Sequence, residues 1–441
     1  MRRPARLSGL ALGGALCAIA AAVAFAEGRP AGTTASKTRL SNGLTLLVRV
    51  NPAAPVVAVS LFIRGGARAE SEADAGAGHL LHQVMLKGTA SRSAIEIAEA
   101  AEAMGGSVSA SSDADFFEVR GSALARRWRG LLDLIADVAL RPSLPPDEIE
   151  GERRLILSAM RNRLDQPFPL ALDTVMSRLY GSHPYGRPSL GRAAVVERLD
   201  RSALLAHHRR HYRAERMIVS VSGDVEQPDV VAAAGRLFGG ASPGDGGPDV
   251  PPSSPAAALD RTAVARPSAQ AQVLMGFLAP PVSHPDYTAV KVLSTALGGG
   301  MAGRLFTELR DKQGLAYSTT ASYPTRVGPS FLLAQVGTAP ANAGRAEEEV
   351  KRQIERLRRE PMREEELQRA KSYLRGQFAL DRRTNARLAW YGAFFEAAGV
   401  GHDFPERYVE AVGRVTAADV QRVAQSYLAS PTIVSLGPPP R

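Results

Sequence analysis

The sequence predicts an α+β protein made of two copies of one unit joined by a linker. Three observations carry that prediction. Helix-like and strand-like segments follow one another in mixed order, not in strict βαβ alternation. Residues 239–255, dominated by Gly, Pro, Ser and Asp, divide the chain into parts of similar size. The two parts also end alike. Val196-Glu197-Arg198-Leu199-Asp200 leads through a helical stretch to Tyr212 and the β-branched run Met217 to Val221. Val412-Gly413-Arg414-Val415-Thr416 leads to Tyr427 and Thr432 to Leu436 in the same way. The offsets are nearly constant (412 − 196 = 216; 427 − 212 = 215; 433 − 218 = 215). Asp200 and Thr416 are each placed to cap the helix that follows. The alternative to duplication is chance likeness of a common helix–strand unit.

The elements follow in order. Arg2, Arg3 and Arg6 precede an apolar run from Leu7 to Phe25, and Ala24-Phe25-Ala26 is a small-x-small cleavage site. Residues 1–26 therefore read as a signal peptide. A retained anchor is the alternative, but Gly13 and Gly14 interrupt a run already short for a membrane span. Cys17, the only cysteine, lies inside that run, so the mature chain carries no thiol. Residues 27–36 read as a tail. Thr38 to Val50 reads as a hairpin around Ser41-Asn42-Gly43. The nearly all-apolar run Val57 to Ile63 fits a strand buried on both faces. Helices are expected near Gly76 to Leu86 and over Ile95 to Met104, the second ended by Gly105-Gly106. Ser107 to Ser112 and Phe116 to Arg120 are candidate paired strands.

Length and composition suit a globular chain with a sizeable core: 441 residues, 45% hydrophobic and 22% charged. The net charge of +10 falls to +7 without the three leader arginines (10 − 3). The basic residues are mixed with acids along helical stretches, and no aromatic-interleaved basic stripe exists, which excludes nucleic acid as a partner. Arginine far outnumbers lysine, and Ala, Gly and Pro are abundant, as in a GC-rich bacterial genome. With the leader, this places the chain in the periplasm or otherwise outside the cytoplasm, without a stable membrane anchor after cleavage.

The strongest chemical signal is Gly76-Ala77-Gly78-His79-Leu80-Leu81-His82-Gln83-Val84-Met85-Leu86-Lys87-Gly88-Thr89. Residues at i, i+3 and i+4 share a helix face, so two His at i and i+4 can hold one Zn²⁺ while a Glu at i+3 reaches the metal-bound water. The stretch resembles the signature of the pitrilysin/insulinase superfamily of zinc peptidases, a His-x-x-Glu-His helix followed by Lys-Gly-Thr. The match is partial. His79 stands at the first ligand place, His82 where the family has its catalytic Glu, and Gln83 where it has the second His. The family's third ligand is a Glu about 76 residues on, in a helix of the form Glu-Arg-x-x-Val-Leu-x-Glu. Glu152-Arg153-Arg154-Leu155-Ile156-Leu157-Ser158-Ala159 matches that helix in register (159 − 83 = 76), with Ala159 at the ligand place. A catalytic zinc needs about three protein ligands and a water. Here only His79 remains, so no zinc is expected in this chain. At best His79 and His82 make a weak two-His site; otherwise both are ordinary polar residues on a cleft-facing helix.

The second half carries Gly298-Gly299-Gly300-Met301-Ala302-Gly303-Arg304-Leu305-Phe306-Thr307-Glu308-Leu309-Arg310-Asp311-Lys312-Gln313-Gly314-Leu315-Ala316-Tyr317. The resemblance implies that Arg310 and Tyr317, seven residues apart, lean across a cleft to hold substrate and stabilise the tetrahedral oxyanion at a zinc on the other wall. A permanent cation and a neutral O–H donor both suit that task. Otherwise Arg310 pairs with a carboxylate and Tyr317 packs in the core. Gly298, Gly299 and Gly300 would line the substrate path. Ser109, on the strand after Gly105-Gly106, would sit on the edge strand to which peptides add, in a place where the family often has Asn. His183-Pro184-Tyr185-Gly186-Arg187-Pro188 resembles a family turn.

The resemblance spans about residues 36–437. It implies two homologous mixed α/β-sandwich domains in a clamshell, residues 36–238 and 256–437, and the short, two-chain branch similar to mitochondrial processing peptidase. In that branch one subunit carries the zinc helix and the other has lost it. The resemblance thus implies a subunit inactive alone, whose Arg310 and Tyr317 serve a zinc held by a homologous His-x-x-Glu-His partner acting on peptides. The other reading is a peptide-binding or structural core-type subunit with no part in catalysis.

Overall fold

The computed structural model describes residues 35–244 and 260–439. The leader (1–26) and residues 245–255 of the linker lie outside the described residues.

The first half runs β1 (Ser36–Arg39), β2 (Thr45–Val50), β3 (Val56–Arg64), α1 (Ala77–Val84), α2 (Ala94–Ala103), β4 (Ser107–Ser112) and β5 (Phe116–Leu124). It continues with α3 (Trp128–Leu140), α4 (Pro146–Asp165), α5 (Pro167–Tyr180), α6 (Ala193–Val196), α7 (Arg201–His211), β6 (Met217–Gly223) and α8 (Gln227–Phe238). The second half runs β7 (Asp260–Ala265), β8 (Ala271–Ala279), α9 (Tyr287–Gly298), a π-helix over Phe306–Lys312, β9 (Ala316–Ser322) and β10 (Ser330–Thr338). It ends with α10 (Ala343–Arg359), α11 (Glu364–Asp381), α12 (Asn385–Ala397), α13 (Phe404–Arg414), α14 (Ala417–Tyr427) and β11 (Thr432–Gly437).

The two sheets have one topology. The first is ordered β1-β2-β6-β3-β5-β4 and the second β7-β11-β8-β10-β9. With β1 set aside, each strand of the first has its counterpart in the second at the same place. The mixed α+β class expected from the element order is thus the class observed, and the helix–strand repeat is real. Asp200 accepts from the Ala203 amide, and Thr416 forms a reciprocal capping box with Asp419.

The apolar run of β3 is explained by its two covers. Val57, Val59, Leu61 and Ile63 enter a core under α1, α3 and α7, while the alternate Phe62 meets Phe394 and Trp390 of α12. The second sheet mirrors this. Val273, Met275 and Phe277 of β8 face the helices of their own half, whereas Leu274 packs with Ala171, Val175 and Leu179 of α5. Each half therefore lends one helix to the other's sheet: α5 to the second, α12 to the first. Gly276 and Gly392 mark the close approaches: a β-carbon at Gly276 would sit 3.1 Å from Val175, and one at Gly392 3.3 Å from Ser220.

Polar contacts lock the exchange. Arg64 donates to the Glu396 and Ala397 carbonyls at the end of α12, both at 3.1 Å. Asn385, at its start, accepts from Asn51 (2.7 Å) and Ser222 (3.0 Å) and donates to the Val56 carbonyl (2.9 Å). Among the described residues no helix is long and apolar enough to cross a membrane.

Candidate functional site

Helix α1 begins without a capping side chain, at Gly76 with φ +106°. Buried Glu70 supplies the missing acceptor: its carboxylate takes the amides of Gly76 (2.8 Å) and Gly78 (2.7 Å), the placement an anion prefers at a helix N-terminus. Burial pushes the Glu70 carboxyl upward, and the two amides oppose that shift. Gly78 cannot carry a side chain, because a β-carbon would lie 2.6 Å from the Phe117 ring and 2.8 Å from Glu70.

Full-turn spacing sorts the signature residues. His79, Gln83 and Leu86 lie on the partly open face, while Leu80, Leu81, Val84 and Met85 are buried. The structure corrects the expectation for His82. It is not on a cleft-facing surface but turned inward, 1% exposed and stacked on Phe117 at 4.9 Å. A carbonyl only accepts, so Nδ1–H donates to Gly78 O (2.6 Å) and Nε2 accepts from the Tyr212 hydroxyl (2.7 Å). Both ring nitrogens are thus engaged, and burial brings the imidazole down to about 3. The weak two-His site with His79 does not form, since His82 has no free lone pair and faces away.

The partner helix α4 is pinned by Arg153, which donates to the carbonyls of Val196 and Glu197 (2.7 Å each) and Leu199 (2.6 Å). Glu152 pairs with Lys87 at 2.9 Å, and its charge partly opposes the lowering that burial imposes on His79. Ala159 is exposed two turns further along α4. The donors at the family's ligand places are thus one imidazole, one neutral amide and a methyl group, and the nearby carboxylate is held by a lysine. Among the described residues no three His, Cys, Asp or Glu side chains are grouped to hold an ion. This donor set does not fit a catalytic zinc.

On the second half, Arg310 lies in the π-helix and Tyr317 in β9, the outer strand of its sheet. Gly314 (φ +59°) turns the chain between them, and Leu315 N–H bonds back to Leu309 O at 2.7 Å. Arg310 is exposed with its guanidinium 5.0 Å from the Phe306 ring centre. Among the described residues its guanidinium has no ion pair or hydrogen bond; the neighbouring Glu308 pairs with Lys312 at 2.9 Å. Tyr317 is 58% exposed, and its hydroxyl likewise has no partner among them. Neither bland alternative is realised: Arg310 pairs with no carboxylate and Tyr317 is outside the core.

The glycine run divides its tasks. Gly298 is buried against β9, where a β-carbon would sit 2.3 Å from Ala321 N. Gly299 and Gly303, with exposed Met301, line a cavity of about 250 Å³ beside Tyr373, and Gly300 (φ +113°) makes the turn between them. Ser109 lies on β4, the outer strand of the first sheet, and accepts from Arg120 Nε at 3.2 Å. Both sheets therefore end on a strand with one free edge among the described residues.

Two groupings escaped the sequence. Toward the C-terminal end of α7, His207 and His211 are 4% and 2% exposed with ring centres 4.5 Å apart, and their four ring nitrogens have no hydrogen-bond partner among the described residues. The nearest charge, Asp74, is 3.9 Å from His207. The run His207-His208-Arg209-Arg210-His211 was its only signal. The turn His183 to Pro188 proves to be a junction between halves. Tyr185 donates to buried Asp115, which also receives the Val327 amide (3.3 Å) and faces Arg68 (3.4 Å) and Arg326 (3.8 Å).

The chain matches known proteins over most of its length. The family model described as insulinase (peptidase family M16) matches residues 45–193, and that described as the peptidase M16 inactive domain matches residues 198–374. An uncharacterized zinc protease of Mycobacterium bovis is 31% identical over 399 residues, covering 89% of this chain and 90% of that protein. An uncharacterized zinc protease of Bacillus subtilis is 25% identical over 352 residues, covering 80% and 85%. A crystal structure of a peptidase M16 inactive domain from Pseudomonas fluorescens superposes with a TM-score of 0.86 at 22% identity, covering 92% of this chain and 98% of that one. A protease structure from Helicobacter pylori gives 0.85 at 22% identity, covering 92% and 99%.

Proposed function

The chain belongs to the insulinase family of peptidases, M16, and on that premise we propose that it is the non-catalytic subunit of a two-chain zinc peptidase. The observation that carries the reading is a contrast within one molecule. The metal face of α1 is chemically dismantled, whereas Arg310 and Tyr317 stand exposed with no hydrogen bond or ion pair of their side chains among the described residues.

In this reading a homologous subunit with an intact His-x-x-Glu-His helix supplies the zinc and the attacking water. This chain supplies donors. The Arg310 guanidinium and the Tyr317 hydroxyl bind the scissile carbonyl oxygen and hydrogen-bond more strongly to it as it gains charge, which lowers the barrier and not only the binding constant. Among the described residues neither has a hydrogen bond or ion pair to break before it acts. The substrate is an extended peptide, which the free edge of β4 or β9 can accept as an added strand. The chain works outside the cytoplasm after loss of residues 1–26.

The test is co-expression with a neighbouring His-x-x-Glu-His homologue and a peptide-cleavage assay of each chain and of the mixture. Cleavage is expected only in the mixture, abolished by chelator. Arg310→Ala in this chain should lower kcat about 10²–10³-fold, the usual effect of losing one oxyanion donor. Full activity of the Arg310→Ala complex overturns the reading. Activity of the homologue alone, unchanged by adding this chain, assigns it the peptide-binding or structural role instead.

A further inference from the structure

Away from the α1 and Arg310 regions, a cavity of about 630 Å³ opens among α9, α11, α12 and α13. That volume is typical of a small-molecule site. Its inner wall is buried Tyr287, Phe395 and Tyr408, and its rim is exposed Gln377, Leu380 and Arg383. Lys291 projects into it. Protein surrounds this side chain, and solvent reaches it through the cavity, which leaves it partly exposed.

Lys291 is an ammonium without a counter-ion. No carboxylate lies within 4.0 Å of it among the described residues; its hydrogen-bond partner is the Tyr323 carbonyl at 2.6 Å. The ring centres of Tyr287 and Tyr323 lie 5.3 and 5.1 Å away. An ammonium has three N–H donors, so two remain for a ligand. Tyr408, whose hydroxyl has no hydrogen-bond partner among the described residues, also lines the cavity. The one lining carboxylate, Asp381, is already held by Arg387 and by the Tyr391 hydroxyl. A charge enclosed without a partner is unfavourable, and a bound anion would offset that cost.

We propose that this cavity binds a small organic carboxylate with an aromatic or branched apolar body, the carboxylate on Lys291 and Tyr408 and the body against Tyr287, Phe378, Tyr391 and Phe395. The ring-lined wall accepts an apolar body rather than a hydrated dianion such as phosphate. The site is independent of the peptidase reading.

Burial brings the Lys291 amine down to about 8, so affinity for a carboxylate should fall as pH rises past that value. The other groups around it do not titrate in that window. Burial holds Tyr287, Tyr323, Tyr391 and Tyr408 above the usual phenol range, and the carboxyl of Asp381 is held low by Arg387 and Tyr391.

The test is calorimetric titration of the full chain with 3-phenylpropanoate, 3-phenylpropanamide and inorganic phosphate. The acid should bind at least tenfold more tightly than the amide, raise Tm, and lose affinity between pH 7 and pH 10. Lys291→Met should abolish the preference for the acid without lowering the Tm of the free protein. The pH arm on the unaltered chain and a Tyr408→Phe variant, expected to weaken the acid severalfold, decide the matter if Lys291→Met does not fold. Equal binding of acid and amide, pH-independent binding, no binding of the acid at millimolar concentration, or tighter binding of phosphate overturns the proposal.

Discussion

His82 shows how a side chain's direction outranks its place in a motif. On α1 it stands one position before the partly open Gln83, and that single step of about 100° turns it into the core. There it joins Gly78 to Tyr212 through both ring nitrogens. His82→Ala should therefore destabilise the fold by about 2–4 kcal/mol, from the cavity and the stranded Tyr212 hydroxyl; chemical denaturation measures it. The buried histidines also set a pH dependence. Burial holds His82 and His211 down at about 3, whereas an unfolded imidazole titrates near 6.5. Between those values the unfolded chain binds more protons, so stability is full above about pH 6.5 and lost as pH falls, by up to about 1.4 kcal/mol per unit per histidine. Urea midpoints from pH 7 to 4 should drop less steeply for His211→Leu than for the unaltered chain; identical slopes would refute the linkage. At this scale the signature places of His79, Gln83, Ala159, Arg310 and Tyr317 were legible, because motif spacing is local. The inward turn of His82 was not, because the ring of Phe117 that receives it lies 35 positions away (117 − 82).

Elements were legible where a local cause sufficed. The Asn42-Gly43 hairpin, the Asp200 and Thr416 caps and the all-apolar β3 each express turn chemistry, capping or periodicity. The π-helix carrying Arg310 was not foreseen. It differs from an α-helix by one residue in the span of its hydrogen bonds, which composition does not reveal. The swapped helices α5 and α12 were also invisible as such, since an amphipathic face does not name the sheet it will cover. Asn385 makes the point testable. Its amide serves Asn51, Ser222 and Val56 at the first sheet from a helix in the second half. Asn385→Ala should cost about 2–3 kcal/mol by leaving these groups unpaired. A loss no larger than that of an exposed-site control would mean that α12 is held by packing alone.

At the scale of the whole molecule, the exchange makes the two halves interdependent. Without α12, the first sheet would expose Leu47, Phe62, Phe116 and Ile218, each worth about 1.5–3 kcal/mol when buried. A chain cut between residues 244 and 260 should thus yield an insoluble first half alone and a soluble assembly when both halves are co-expressed. A soluble, cooperatively folding 35–244 fragment would contradict it. The Asp115 junction with Tyr185, Arg68 and Arg326 adds a buried charge to the same seam.

The sequence by itself determined the duplication, the α+β class, the family and the loss of the metal ligands, because all of these are written as spacing along one chain. Only the tertiary structure decided which faces are open, which donors are already spoken for, and where Lys291 without a counter-ion and the His207–His211 pair without hydrogen-bond partners among the described residues come to lie. Those depend on contacts between residues far apart in the chain, where burial and partner geometry set the energy and no local pattern records the outcome.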